Sequence, residues 1–96
     1  MAVMYNSPHP GRLIREWMGD GLTVGAFANH LGISRVTLSN VLNGKAGITA
    51  AMAIKLSQAF PPTEPQLWLG LQSDYELSKE LREKKRRPIA PVKRAA

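Results

Sequence analysis

Residues 24–41 read V-G-A-F-A-N-H-L-G-I-S-R-V-T-L-S-N-V, and this run constrains the fold more than any other part of the chain. Two helices that cross over a tight turn must bury side chains at fixed positions. Counted from Val24, those positions hold Phe27, Leu31, Ile33, Leu38 and Val41, all apolar. Ala28 stands where the helices approach most closely, and a larger side chain there would push them apart. Gly32 stands in the turn, where a positive φ is needed and only glycine adopts it without steric cost. Ser34 is placed to cap the next helix with its hydroxyl. An ordinary helical hairpin would explain the apolar positions alone. The agreement of turn, cap and core positions in one register points instead to a DNA-binding helix-turn-helix.

In such a unit the second helix lies in the major groove, with its early residues against base edges. Leu38 and Val41 face inward and so fix its rotation. The outward set is then Ser34, Arg35, Val36, Thr37, Ser39 and Asn40. Arg35 is the charged member, and an arginine can meet O6 and N7 of a guanine with two hydrogen bonds. Asn40 can pair with adenine. Val36 or the Thr37 methyl can touch a thymine methyl. Asn43, Lys45 and the helix start at Thr23 are better placed for phosphates. Thr37 and Ser39 are equally compatible with being solvated polar residues.

The same periodicity predicts five helices. The first opens at Pro10 or Gly11 and runs to about Met18, with Leu13 and Trp17 four apart as a core stripe. Thr23 caps the second, which ends at Leu31. Gly25 lies inside it, where glycine costs roughly 1 kcal/mol relative to alanine, and close packing is the usual reason. The third runs from about Arg35 to Leu42 and stops at Asn43-Gly44, with Gly44 suited to a left-handed cap. Thr49 caps a fourth through about Phe60, with Met52, Ala53, Leu56 and Phe60 inward. Pro61 and Pro62 break it. A fifth starts at Thr63 and Glu64 and extends to about Lys85. Its inward stripe is read as Trp68, Leu71 and Tyr75, extended by Leu67 and Leu81. From Pro88 the chain has two prolines and no periodicity, as a disordered end would.

Charge is unevenly placed. The eight basic and two acidic residues from Lys79 to Arg94 carry the whole net charge of +6, while residues 1–78 hold five of each sign. DNA affinity depends on phosphate neutralisation. The domain must therefore place few cations well, borrow helix-start N–H groups, or use the basic tail, which otherwise is only a solvated end. The 96 residues suit one modest core. The absence of cysteine removes disulfides, thiolate metal sites and thiol redox chemistry. Apolar runs fall short of the roughly 18–20 residues that cross a bilayer, and the N-terminus lacks a signal peptide's pattern. His9 and His30 have no carboxylate or thiol at ligand or catalytic spacing. His9 belongs to a helix-entry turn, and a solvated or capping role is expected of both. The expectation is therefore no enzyme, no metal, no cofactor, no membrane partner, and a cytoplasmic location.

The segment L-T-V-G-A-F-A-N-H-L-G-I-S-R-V-T-L-S-N-V-L-N-G-K resembles the Xre/Cro family of phage-repressor-like domains. Two further segments are not needed to build a helix-turn-helix. H-P-G-R-L-I-R-E, from His9 to Glu16, resembles the opening of HigA-type antitoxins, also called the VapI group. L-W-L-G-L-Q-S-D-Y-E-L, from Leu67 to Leu77, resembles their fifth-helix signature. The resemblance implies an all-α, five-helix, phage-repressor-like helix-turn-helix antitoxin domain over residues 8–85, with a short disordered basic tail over 86–96. It implies neutralisation of a HigB-type RNA-cleaving toxin and repression of the protein's own operon. The repressor would be a homodimer on double-stranded operator DNA. Relatives often carry Gln where Val24 stands and an acidic residue where Arg12 stands, so the phosphate and toxin contacts there differ. A stand-alone phage-type repressor without a toxin is the other reading. A structural or membrane-surface module built on the basic end of helix five is a third.

Overall fold

The computed structural model describes residues 7–83 and 87–93. It contains five helices in order: α1 Pro10–Met18, α2 Val24–Leu31, α3 Arg35–Leu42, α4 Ala50–Ala59 and α5 Pro65–Glu83. No strand occurs among the described residues. No helix is long and apolar enough to cross a membrane, among the same residues.

Capping explains the helix starts. Thr23, Ser34 and Thr49 each accept from the backbone N–H three residues on, at Ala26, Thr37 and Met52. Each such cap contributes about 1 kcal/mol. The turn between α2 and α3 closes as the sequence requires. Gly32 sits at φ 72°, in the left-handed region. Its N–H bonds Asn29 O, while Ile33 N reaches back to Ala28 O at 3.0 Å. After α3, Gly44 also has a positive φ.

The core gathers Phe27, Ala28 and Leu31 from α2, Leu38, Val41 and Leu42 from α3, and Met52, Ala53 and Leu56 from α4, closed by Ile14 and Trp68. Ile33 is only partly buried against it. The expected α1 stripe is rotated. Ile14 is fully buried, Leu13 is partly buried and Trp17 is 44% exposed. The cause lies in the first turn. Gly11 presses against α3, and a Cβ on it would collide with Val41 O. That contact turns Ile14, not Leu13, towards the core. Trp17 packs edge-on against Phe60 and Trp68 at the core's margin.

The α5 face also differs from the expectation. Trp68, Gln72 and Ser78 are buried, Leu71 and Tyr75 are half-buried, and Leu67 and Leu81 are exposed. Two of the inward residues are polar because they bond backbone groups: Gln72 accepts from Ile48 N–H, and Ser78 Oγ donates to Tyr75 O. The helix begins at Pro65 rather than Thr63, whose N–H and hydroxyl both donate to Phe60 O and close α4 instead. Phe60 is the half-buried C-cap residue of α4. Gly25 has open space around it, so close packing within this chain does not explain it. The expected end of α5 at Lys85, the 85/86 boundary and the cations Lys84, Lys85, Arg86 and Arg94 lie outside the described residues. Residues 87–93 are exposed and carry no helix or strand.

Candidate nucleic-acid interface

The outward face of α3 is built by its cap and its two buried anchors. With Leu38 and Val41 inside, Ser34, Arg35, Val36 and Thr37 are all exposed, and Ser39 and Asn40 are half-buried. Val36 is 69% exposed, which is unusual for an apolar residue with a core close by. The Ser34 and Thr37 hydroxyls share a hydrogen bond of 2.7 Å while Ser34 Oγ also accepts from Thr37 N. The start of α3 is therefore held rigid, and Thr37 keeps its methyl for outside contact. Thr23 is exposed at the start of α2, with its hydroxyl engaged by Ala26 N–H.

The loop after α3 carries Asn43 and Lys45. Lys45 N and Ala46 N both donate to Asn40 O, at 2.8 and 3.1 Å, so the loop folds back on α3. Lys45 is exposed. Asn43 is exposed too, yet its amide is occupied on both sides. Its Oδ1 accepts from Arg15 Nη2 at 2.7 Å and its Nδ2 donates to Ser39 Oγ at 3.2 Å. The expected surface residues thus fall on one continuous stretch from α3 to the loop, with Thr23 on the neighbouring helix.

Three residues behind this loop hold it in place, and the sequence assigns no such role to any of them. His9 is buried and is the N-cap of α1. Its Nδ1 accepts from Gly11 N at 2.9 Å, and its Nε2 donates to Ala46 O at 3.1 Å. Gln72 Oε1 accepts from Ile48 N at 2.9 Å, and its Nε2 donates to Glu76 Oε1. Tyr75 lies edge-on to His9, with ring centroids 4.8 Å apart. The two signature segments, at the start of α1 and in α5, therefore meet in space and clamp the loop from both sides. The presence of Gln inside the α5 pattern is the one sequence signal for this, since a buried amide must have partners.

Both ring nitrogens of His9 are used in one neutral tautomer. Burial pushes its pKa below the ordinary 6.5, against the bond to Ala46 and the charge of Glu76, which favour the cation. A proton on Nδ1 would face the Gly11 N–H. The unfolded chain thus binds this proton more readily, and stability rises with pH in that range. The contribution is complete above pH 6.5 and is lost as pH falls below it. Thermal melts from pH 8 to pH 5 should show the midpoint falling in that window for the wild type. His9→Ala should melt lower throughout and lose that inflection. A wild-type midpoint flat through the window would contradict the assignment.

No group of three or more His, Cys, Asp or Glu that could hold a metal occurs among the described residues. His30 lines a shallow surface pocket with Lys55 and Gln58. Lys55 Nζ donates to Leu31 O at 3.1 Å and so closes the end of α2.

The helix-turn-helix (HTH_3) family model matches residues 12–68. Virulence-associated protein A' of Dichelobacter nodosus is 47% identical over 76 residues, which cover 78% of this chain and 66% of that relative. The chain is also similar to a solved HigA-family addiction module antidote protein from Coxiella burnetii. The TM-score is 0.77 at 34% identity, over 81% of this chain and 86% of that one. PA4674 from Pseudomonas aeruginosa, solved in complex with its operator DNA, has a TM-score of 0.75 at 32% identity, over 83% and 87% of the two chains.

Proposed function

The chain belongs to the helix-turn-helix (HTH_3) family, and from that premise we propose that it is a sequence-specific DNA-binding antitoxin. It neutralises a HigB-type RNA-cleaving toxin and represses its own operon as a homodimer in the cytoplasm. The family is one of DNA-binding regulators and not of enzymes, and HigA-family antitoxins are among the structural neighbours. The observation that carries the reading is the exposed start of α3. It has one cation, Arg35, one outward aliphatic, Val36, and a doubly bonded cap that holds both at fixed rotation.

The residue roles follow from chemistry. Arg35 reads a guanine, Asn40 an adenine, and Val36 or the Thr37 methyl a thymine methyl. Ser34 and Ser39 make polar contacts at either end of the reading face. Thr23 and Lys45 lie against the sugar-phosphate backbone, and Asn43, its amide engaged by Arg15 and Ser39, supports that face rather than binding a phosphate itself. Two reading helices related by a two-fold axis, about 34 Å apart, enter successive major grooves. The second copy pairs through the outward face of α5, where Leu67, Leu77 and Leu81 are each more than 40% exposed. Leu71, on the inward stripe, packs against the core.

Copurification with the product of the adjacent gene, followed by footprinting on the shared promoter, tests the proposal. A two-fold symmetric footprint and a complex that no longer cleaves RNA are expected. DNA binding with no toxin partner would make the protein a stand-alone repressor. A short, non-palindromic site filled by a monomer would refute the dimer.

Arg35→Ala should cost about 1–3 kcal/mol on the operator and reduce the preference for operator over random duplex. Lys45→Ala should weaken both duplexes alike and lower the salt slope by roughly one. Titrations of both variants on both duplexes, at several salt concentrations, separate these. An unchanged preference in Arg35→Ala would mean that Arg35 reads no base.

A further inference from the structure

We propose that Arg15 is a DNA-backbone contact at the C-terminal end of α3, and that Asn43 is the residue that orients it. This rests on the DNA-binding reading above. Arg15 belongs to α1 and lies 28 residues from Asn43 in sequence. Nothing in the linear order connects it with the reading helix.

The geometry does. Arg15 Nη2 donates to Asn43 Oδ1 at 2.7 Å, and Asn43 Nδ2 donates to Ser39 Oγ at 3.2 Å. Asn43 is the C-cap of α3, and its own N–H bonds Ser39 O. The Arg15 side chain is therefore two hydrogen bonds from Ser39, on the outward side of α3. It is exposed, and its acceptor is a neutral amide, so its charge is not cancelled there. A guanidinium has five N–H donors in a planar fork. One is spent on Asn43, and the exposed side chain keeps the others for acceptors beside the helix.

Charge placement agrees. The last turn of α3 contains no basic residue. Residues 1–78 contain five cations, Arg12, Arg15, Arg35, Lys45 and Lys55. Lys55 is bonded to the end of α2, while Arg12 lines a groove with Leu71 of α5 and a second cleft with Leu42, Asn43 and Gly44, without a bond to Asn43. Arg15 is the one of these held by a hydrogen bond to the C-cap residue of α3, and it joins Arg35 at the start of that helix and Lys45 beyond its end. The Asn43 amide, held on both sides, serves as a bracket for this cation. Its bond to Ser39 Oγ leaves the serine hydroxyl proton free to donate to an acceptor on the DNA.

The test is a salt titration of the full chain on operator and on random duplex. Arg15→Gln keeps a donor for Asn43 Oδ1 but removes the charge. It should lower the salt slope by about 0.9 on both duplexes. Affinity for both should fall about tenfold, as for loss of a hydrogen bond to a charged group. Arg15→Lys should keep the slope but bind more weakly than the wild type, because an ammonium lacks the fork. Asn43→Ala should also keep the slope, with a smaller affinity loss. Combined with Arg15→Gln it should add almost nothing, since the two act as one unit. Thermal melts within a few degrees of wild type confirm that each variant is folded. A folded Arg15→Gln with the wild-type slope would overturn the proposal, and additive losses in the double variant would overturn the role of Asn43. A wild-type protein that prefers no operator would instead defeat the DNA-binding reading itself.

Discussion

Trp68→Ala should lower the unfolding free energy by about 3–5 kcal/mol. That is a large share of the roughly 5–15 kcal/mol that holds a domain together. Trp68 is fully buried and is among the largest side chains in the core. Its ring meets Trp17 edge-on and Phe60 at a tilt, and its Nε1 donates to Thr63 Oγ1 at 3.1 Å. Truncation opens a cavity where α1, α4 and α5 meet and leaves the contacts to Trp17 and Phe60 unfilled. The domain has no disulfide to limit the damage. At about 4–8 °C per kcal/mol for a chain of this size, the melting midpoint should drop by more than about 10 °C. Trp68→Phe keeps most of the volume and loses the N–H bond, so a loss nearer 1–2 kcal/mol is expected. Urea unfolding of the three proteins distinguishes these. An alanine variant within about 1 kcal/mol of wild type would mean that the aromatic cluster is not the core's anchor.

Which parts of this molecule are legible in its sequence depends on whether their causes are local. The caps Thr23, Ser34 and Thr49 and the positive φ of Gly32 involve residues at most a few positions apart, and they stand where the sequence puts them. The α1 and α5 faces are set by partners elsewhere. Gly11 can approach Val41 O because it has no Cβ, and this rotates α1 so that Ile14 enters the core. Hydrophobic periodicity cannot register that. In α5 it misleads, because Gln72 is inside to satisfy Ile48 N–H, while Leu67 and Leu81 lie outside. The inner face carries a polar residue because the loop backbone needs one, and the leucines outside fit the proposed pairing with a second copy. The span of α3, its Ser34 cap and its outward face are legible residue by residue. Behind the loop, the sequence offers a capping role for His9 and an inward position for Tyr75, but not the bonds from His9 and Gln72 to the loop backbone, whose partners lie far along the chain. Arg15 had no signal at all, since its partner belongs to another helix.

The proposed pairing of α5 with a second copy leads to the prediction with the largest functional effect. Leu67, Gly70, Asp74, Leu77 and Leu81 recur at alternating steps of three and four, the spacing of a helix seam that faces another helix. The three leucines are 42–44% exposed, and Gly70 has nothing within 4 Å of its Cβ position. A solitary exposed leucine means little, but a row of them along a helix of 19 residues marks an unpartnered face. Leu77→Lys places a charge in the centre of that row and none in the core, so the monomer should fold with a melting curve close to wild type at low concentration. The dimer should not form, because burying an uncompensated ammonium costs far more than the leucine contributed. Operator binding then loses the linkage between two half-sites. Since linkage raises affinity by about 10²–10⁴ without any new contact, the loss should be of that order. Lys45→Ala, by comparison, removes about one phosphate contact. Sedimentation of the free protein and titration on full and half operators decide the matter. A Leu77→Lys protein that remains dimeric and binds the full operator with wild-type affinity would place the two-fold interface elsewhere. Residual binding with equal affinity for full and half operators would show that the DNA-reading face is intact and that only pairing has been lost.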